Sequence, residues 1–235
     1  TVATSKTQVS AIHNQLGDSV PVCVEAMRRD TFPAIALAAA YLKDELGVGL
    51  DETVAVCPVD SFVDNSYYEG VKRLEALVKA ETANLTLMGI EPTYPSEKYG
   101  YIIPTFADAA SPVKEFKEKP DRATAEEYLK IGALWNAGVF AFKLGYLINK
   151  AHSMIDFTDY RDLYAKYDIL TKISFDYAVV EQETSIEVLR YSGTWKDLGT
   201  WNTLTEAMEE NTVGDVRLND TCSNVHAINE LGVPI

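Results

Sequence analysis

The order in which hydrophobic patterns follow one another limits this chain more than any single residue does. Short β-branched runs alternate with stretches that repeat apolar residues at helical spacing: 20–24 then 33–45, 53–56 then 67–80, then 84–90. Strands separated by helices of that length form βαβ units and a parallel sheet. In 33–45 the residues Ala34, Leu37, Ala38 and Tyr41 recur on one side and predict packing on the sheet. Past Gly100 the pattern changes to an extended 101–104, a polar strand and turn over 112–120, and an acidic helix over 123–130. A return strand at 139–142, helices at 143–151 and 173–182, a strand at 186–190 and a helix at 201–208 complete the expected elements. Residues 1–211 are read as one domain and 212–235 as the start of a C-terminal extension.

Charge narrows the partners. The formal net charge is −14, which argues against a general nucleic-acid surface, since binding to a phosphate backbone rests on lysine and arginine. Any phosphate site is therefore a local basic pocket. Cys23, Cys57 and Cys222 are odd in number and lack the paired spacing of zinc or redox motifs, so reduced thiols in a cytoplasmic protein are expected. The longest apolar run, 34–42, falls far short of the ~20 residues that span a bilayer, so no membrane association is expected. Thr1-Val2-Ala3-Thr4 reads as the end of a strand, and Val233-Pro234-Ile235 closes no element, so both ends are read as cut short.

Three short segments suggest chemistry on phosphates. Asp60 follows the apolar run 53–59, which places it past the carboxyl end of a strand, where open α/β sheets bind ligands. Asp197 precedes Gly199, whose missing side chain lets backbone approach a ligand. Two separated aspartates suit Mg²⁺, a hard cation often held by one or two carboxylates together with water and substrate phosphates. Each aspartate has an alternative role as a cap, Asp60 for the next helix or turn and Asp197 for the helix near Trp201. Glu118 and Lys119, ahead of Pro120, could grip a sugar phosphate, but in extended backbone they point opposite ways, so a turn or twist must bring them together. The alternative is a solvated charged strand edge. Asn136, beside Ala137 and Gly138, carries both a donor and an acceptor for sugar hydroxyls, and Gly100 could present its amide to a ligand. Arg29, Asp30 and Thr31, just before a helix, could bind an anion or nucleotide or serve as its cap.

Read in order, Arg29-Asp30-Thr31-Phe32-Pro33-Ala34-Ile35-Ala36-Leu37-Ala38-Ala39, Cys57-Pro58-Val59-Asp60, Glu97-Lys98-Tyr99-Gly100-Tyr101-Ile102, Phe116-Lys117-Glu118-Lys119-Pro120, Trp135-Asn136-Ala137-Gly138-Val139-Phe140, Ile173-Ser174-Phe175-Asp176-Tyr177-Ala178-Val179-Val180-Glu181 and Asp197-Leu198-Gly199-Thr200-Trp201 resemble the bacterial mannose-1-phosphate guanylyltransferases. The resemblance implies a Rossmann-like α/β, GT-A-like nucleotidyltransferase domain, with a mixed, mainly parallel sheet and helices on both faces, that joins mannose 1-phosphate to GTP, giving GDP-mannose and pyrophosphate. It further implies Mg²⁺ on Asp60 and Asp197, the sugar phosphate on Lys119, and the sugar on Gly100, Glu118 and Asn136, with Asp176 near the sugar pocket. Arg29, Asp30 and Thr31 fall on the nucleotide side; a homodimer is admitted, and the extension is expected to be β-helical. Three departures accompany the resemblance. The family's opening Gly-rich phosphate loop has no counterpart in these residues, its Arg-Asn-Thr is Arg29-Asp30-Thr31, and its Asp-His is Asp60-Ser61. Two alternatives stay open: a nucleotidyltransferase for another sugar 1-phosphate, and a non-catalytic sugar-nucleotide-binding domain.

Overall fold

The computed structural model describes residues 1–235. Its strands, in chain order, are β1 (Val2–Ser5), β2 (Val22–Glu25), β3 (Thr53–Val56), β4 (Ser61–Val63), β5 (Leu85–Ile90), β6 (Tyr101–Pro104), β7 (Ala110–Lys117), β8 (Leu134–Lys143), β9 (Ile186–Tyr191), β10 (Trp195–Asp197), β11 (Thr212–Val213) and β12 (Ala227–Ile228). Its helices are α1 (Val9–Leu16), α2 (Thr31–Asp44), α3 (Asn65–Lys79), α4 (Arg122–Lys130), α5 (Leu144–Met154), α6 (Tyr160–Ala165), α7 (Phe175–Ala178) and α8 (Trp201–Ala207). The chain forms two compact units, residues 1–57 with 68–192, and residues 58–67 with 193–235. The boundary expected at 211 falls inside the second unit.

In the first unit a six-stranded sheet runs β3-β8-β5-β9-β7-β6, and β1 pairs with β2 as a separate parallel pair. The expected α/β architecture and mixed sheet are present, but the balance of pairings is different. Within the six strands β5–β9 is parallel, and β3–β8, β5–β8, β7–β9, β6–β7 and β6–β8 are antiparallel. The reason is β8, which is 10 residues long and runs back between β3 and β5. Its early residues Asn136 and Gly138 resemble turn residues, yet the strand carries Gly138 at φ 69° and shifts register against β5 between Leu87 and Gly89. One irregular residue absorbed in this way bends a strand without ending it. Gly89 makes room for the crossing, since a Cβ there would lie 2.6 Å from Leu134 Cδ1.

Every residue of β5 is buried, as expected of a central strand covered on both faces. Leu85 and Leu87 join Phe32, Phe140, Phe142, Leu147 and Phe175 in one core, which brings α2, α5 and α7 onto that face. Met88 points the other way, toward Gly70 of α3, where a Cβ would come within 2.8 Å of its Cε. Helices therefore cover both faces.

The helix expected over 173–182 is shorter. Ser174 caps α7, which ends at Ala178, and a 3-10 turn follows over Val180–Gln182. Two consecutive β-branched residues, Val179 and Val180, lose side-chain freedom in a helix and favour the break. In the second unit β4 pairs antiparallel with β10, and β11 pairs parallel with β12. No helix is long and apolar enough to cross a membrane.

Candidate functional site

The second unit places the two aspartates at one end of a short two-stranded ladder. In the β4–β10 ladder Asp197 pairs with Ser61, so Asp60, the residue before Ser61, lies at the same end of that ladder. Capping explains neither carboxylate. Asp64, not Asp60, accepts the Ser66 N–H at the start of α3, at 2.7 Å. Thr200, not Asp197, caps α8 through a reciprocal capping box with Thr203. Asp197 instead accepts the Gly199 N–H on Oδ1 at 2.8 Å, a closeness that needs glycine, because a Cβ there would sit 2.9 Å from the same oxygen. Its other oxygen and the exposed Asp60 carboxylate remain as hard oxygen donors, a set that fits a divalent cation which keeps several waters.

The first unit gathers the expected sugar-side residues at one end of β6, β7 and β8. Asn136 donates its backbone N–H to the Gly100 carbonyl at 2.8 Å. Gly100 is packed so closely that a Cβ would lie 2.6 Å from Glu118 Oε2 and 2.9 Å from Phe116 Cζ. The loop ahead of it is pinned by the fully buried Tyr101 hydroxyl, which accepts the Ser96 N–H and donates to the Ser96 carbonyl. Trp135, edged by the rings of Tyr94 and Tyr99 at 4.9 and 5.0 Å, fixes the start of β8.

The twist that Glu118 and Lys119 require is present. Lys119 has φ 44°, a left-handed conformation uncommon outside glycine, and its Nζ returns to within 2.9 Å of Glu118 Oε1. The Glu118 side chain is only 6% exposed and that of Lys119 is 55%, so a buried carboxylate steadies an accessible ammonium. That hydrogen bond holds the Lys119 pKa above its ordinary value and the group stays cationic. Within the charged run 114–119 only Glu118 is buried.

Asp176 completes the cluster from α7. Its Oδ1 accepts the Asn136 Nδ2–H at 2.6 Å, while Asn136 Oδ1 accepts the Gly138 N–H at 3.1 Å. Both contacts fix which way the Asn136 amide faces and leave it one further hydrogen and one further lone pair. Burial, and then the charge of Glu118, push the Asp176 carboxyl up to about 6; the Asn136 contact and Lys119 pull only partly back. Two carboxylates, an oriented amide and one lysine thus share one end of the sheet. That inventory suits a phosphate beside several hydroxyls.

Arg29, Asp30 and Thr31 lie at the start of α2. Asp30 sits at φ 72° and caps the helix by accepting the Thr31 N–H at 2.8 Å. Thr31 Oγ1 accepts the Phe175 N–H at 2.7 Å, which ties this turn to the segment that carries Asp176. Arg29 directs its guanidinium to the backbone carbonyls of Tyr167 and Asp168. Its neighbour Arg28 lines a cleft of about 430 Å³ with Glu25, Asp30, Thr31 and Lys172. Glu25 and Lys172 were not anticipated, since neither stands in a recognisable pattern. Glu181, at the end of the motif that begins at Ile173, was given no role of its own; its Oε1 accepts the Glu118 N–H at 3.3 Å, a contact between distant segments that spacing cannot reveal.

Residues 3–213 match the family model described as Nucleotidyl transferase. Among curated proteins the chain is 32% identical over 230 residues to the alginate biosynthesis protein AlgA of Pseudomonas putida, covering 85% of this chain and 45% of that protein. It is 30% identical over 236 residues to the mannose-1-phosphate guanylyltransferase of Klebsiella pneumoniae, covering 88% and 48%. The chain therefore spans about half the length of the curated relatives it matches. A solved structure described as a mannose-1-phosphate geranyltransferase, from Thermus thermophilus, superposes with a TM-score of 0.71 at 27% identity, covering 91% of this chain and 66% of that one. With the family model spanning most of its length and relatives of that similarity, this chain belongs to the nucleotidyl transferase family.

Proposed function

We propose that the protein transfers a guanylyl group from GTP to mannose 1-phosphate, producing GDP-mannose and pyrophosphate. The observation that carries the reading is the left-handed turn at Lys119, which holds an accessible ammonium against Glu118 beside the oriented pair Asn136 and Asp176. The guanylyltransferase name comes from relatives such as the Klebsiella protein.

In the proposed step an oxygen of the sugar phosphate attacks the α-phosphorus of GTP in line. A new P–O–P bond forms, the α–β bridging bond breaks, and pyrophosphate leaves with its electrons. No general base is needed, because a phosphate monoester is already about −1.5 to −2 charged near neutrality. The obstacle is repulsion between two anions. Lys119 offsets part of it, while Glu118, Asn136 and Asp176 orient the sugar, so that positioning lowers the barrier further. Asp60 and Asp197 would hold Mg²⁺, which supplies charge neutralisation at the phosphates when bound. Asp30 and Thr31 would face the nucleotide with Arg28, in place of the expected Arg29, whose guanidinium is engaged by the Tyr167 and Asp168 carbonyls.

The test is pyrophosphate release with GTP, ATP and UTP against mannose 1-phosphate and glucose 1-phosphate. Preference for another pair would replace the substrates but keep the reaction class, whereas binding without release would leave a sugar-nucleotide-binding protein. Asp197→Asn is expected to abolish turnover with the circular-dichroism spectrum unchanged, and Lys119→Ala to impair sugar-phosphate use above all. Near-normal turnover in either variant removes that residue from the site.

A further inference from the structure

The backbone at Lys119 is held where it does not belong. A residue other than glycine at φ 44° is uncommon, and one that precedes proline has even fewer conformations open to it. Such outliers persist only where the surroundings over-determine them, and they cluster at functional sites. Three groups hold this turn. The buried Pro120 fixes its exit, the Glu118 carboxylate grips the lysine head, and Glu181 accepts the Glu118 N–H at 3.3 Å.

Glu181 stands on firm ground for that task. It lies in the 3-10 turn Val180–Gln182, directly after Val179 and Val180, which are 0% and 1% exposed. The segment from Ser174 to Gln182 thus acts twice on the cluster: Asp176 holds the Asn136 amide, and Glu181 holds the backbone of the turn opposite. Without the Glu181 acceptor, the Glu118 N–H loses its partner and the turn can relax to the extended form that the residue before a proline prefers. In that form Lys119 and Glu118 point to opposite sides of the strand.

We propose that Glu181 is a positioning residue for the sugar-phosphate subsite, acting through the Glu118 amide to keep Lys119 in its left-handed conformation. The inference rests on the function proposed above. It assigns Glu181 no contact with substrate.

Two measurements test it. In the first, amide hydrogen exchange of the free protein is compared between wild type and Glu181→Ala. Faster exchange is expected in the peptide covering 113–120 and no change in one covering β5, and equal exchange at 113–120 would overturn the clamp. In the second, Glu181→Ala is expected to raise KM for mannose 1-phosphate about tenfold, the equivalent of one charge-assisted hydrogen bond, with KM for GTP unchanged. Glu181→Gln, which keeps an acceptor oxygen, should restore most of the loss. Because the effect runs through Lys119, adding Glu181→Ala to Lys119→Ala should cost nothing more. An equal rise in both KM values, or an undiminished effect in the Lys119→Ala background, would overturn the positioning role. Should the wild-type protein make no GDP-mannose, the proposed reaction falls, and the exchange comparison still decides whether Glu181 holds the turn.

Discussion

Gly100 shows how little slack the cluster has. A methyl group on its Cα would meet the Glu118 carboxylate at 2.6 Å, and that carboxylate cannot simply swing away because it is buried and paired with Lys119. Gly100→Ala should therefore displace Glu118 and raise KM for the sugar phosphate by roughly tenfold or more, since a misplacement near 1 Å can cost even more. Steady-state kinetics with GTP saturating will read it. Asp176 carries a different liability. Its folded-state pKa, about 6, lies above the ordinary value of 3.8, so the folded chain binds more protons than the unfolded one between those values. The contribution of Asp176 to stability is then greatest below about pH 4 and is lost as pH rises through 6. Asp176→Asn should flatten that slope and stabilise the fold at pH 7.5 by ~1 kcal/mol, while weakening sugar-phosphate binding. Denaturant unfolding at pH 4, 6 and 7.5 gives the first readout and titration calorimetry the second. The identities of Glu118, Lys119 and Asn136 were legible in the sequence. The left-handed twist that makes Lys119 useful was visible only as a requirement, because φ is set by what surrounds the turn.

Among the elements, sequence pattern found most strands and helices of the sheet core but not the helices α1 and α6. The helix expected over 33–45 is α2 over Thr31–Asp44, and the strands expected at 53–56 and 101–104 are β3 and β6 with the same bounds. The short elements β4, β10, β11 and β12 escaped because two or three residues carry no periodicity. They form only where a partner strand completes their hydrogen bonds. Glu183 is a comparable case of tertiary context. Burial alone would raise its pKa, yet Tyr146 and Lys150 donate to it, with further bonds from the Ser185 N–H and Asn84, and together they hold it down at about 2. This cluster joins α5 to the entry of β9. A depressed folded-state pKa gives stability that is present above the ordinary value of 4.5 and lost as pH falls toward 2. Glu183→Gln should cost roughly 2 kcal/mol at pH 7 and almost nothing at pH 2, and urea unfolding at the two pH values checks it.

Taken together, the chain carries a formal charge of −14 and, in the proposed reaction, must accept two anions. Local cations and a bound metal have to overcome a repulsive net field, which makes metal dependence the sharpest expectation for the protein. Treatment with EDTA should stop pyrophosphate release and added Mg²⁺ restore it. The thermal midpoint should barely move, because the Asp60 and Asp197 carboxylates are at or near the surface and belong to no core cluster. Turnover that survives chelation would remove the metal role of both aspartates.

Alternating strand and helix patterns, the charge balance and the ordered motifs made the α/β class and the family legible from the residues alone, because apolar period and local backbone preference are written into neighbouring side chains. Three things were settled only on folding: that β8 turns back to make the sheet mostly antiparallel, that Asp60 and Asp197 fall at the same end of the β4–β10 ladder, and that Glu181 reaches the Glu118 amide. Each is a contact between segments far apart in the chain. Such contacts depend on which packing buries the most apolar surface with every backbone group paired, and no local pattern encodes that choice.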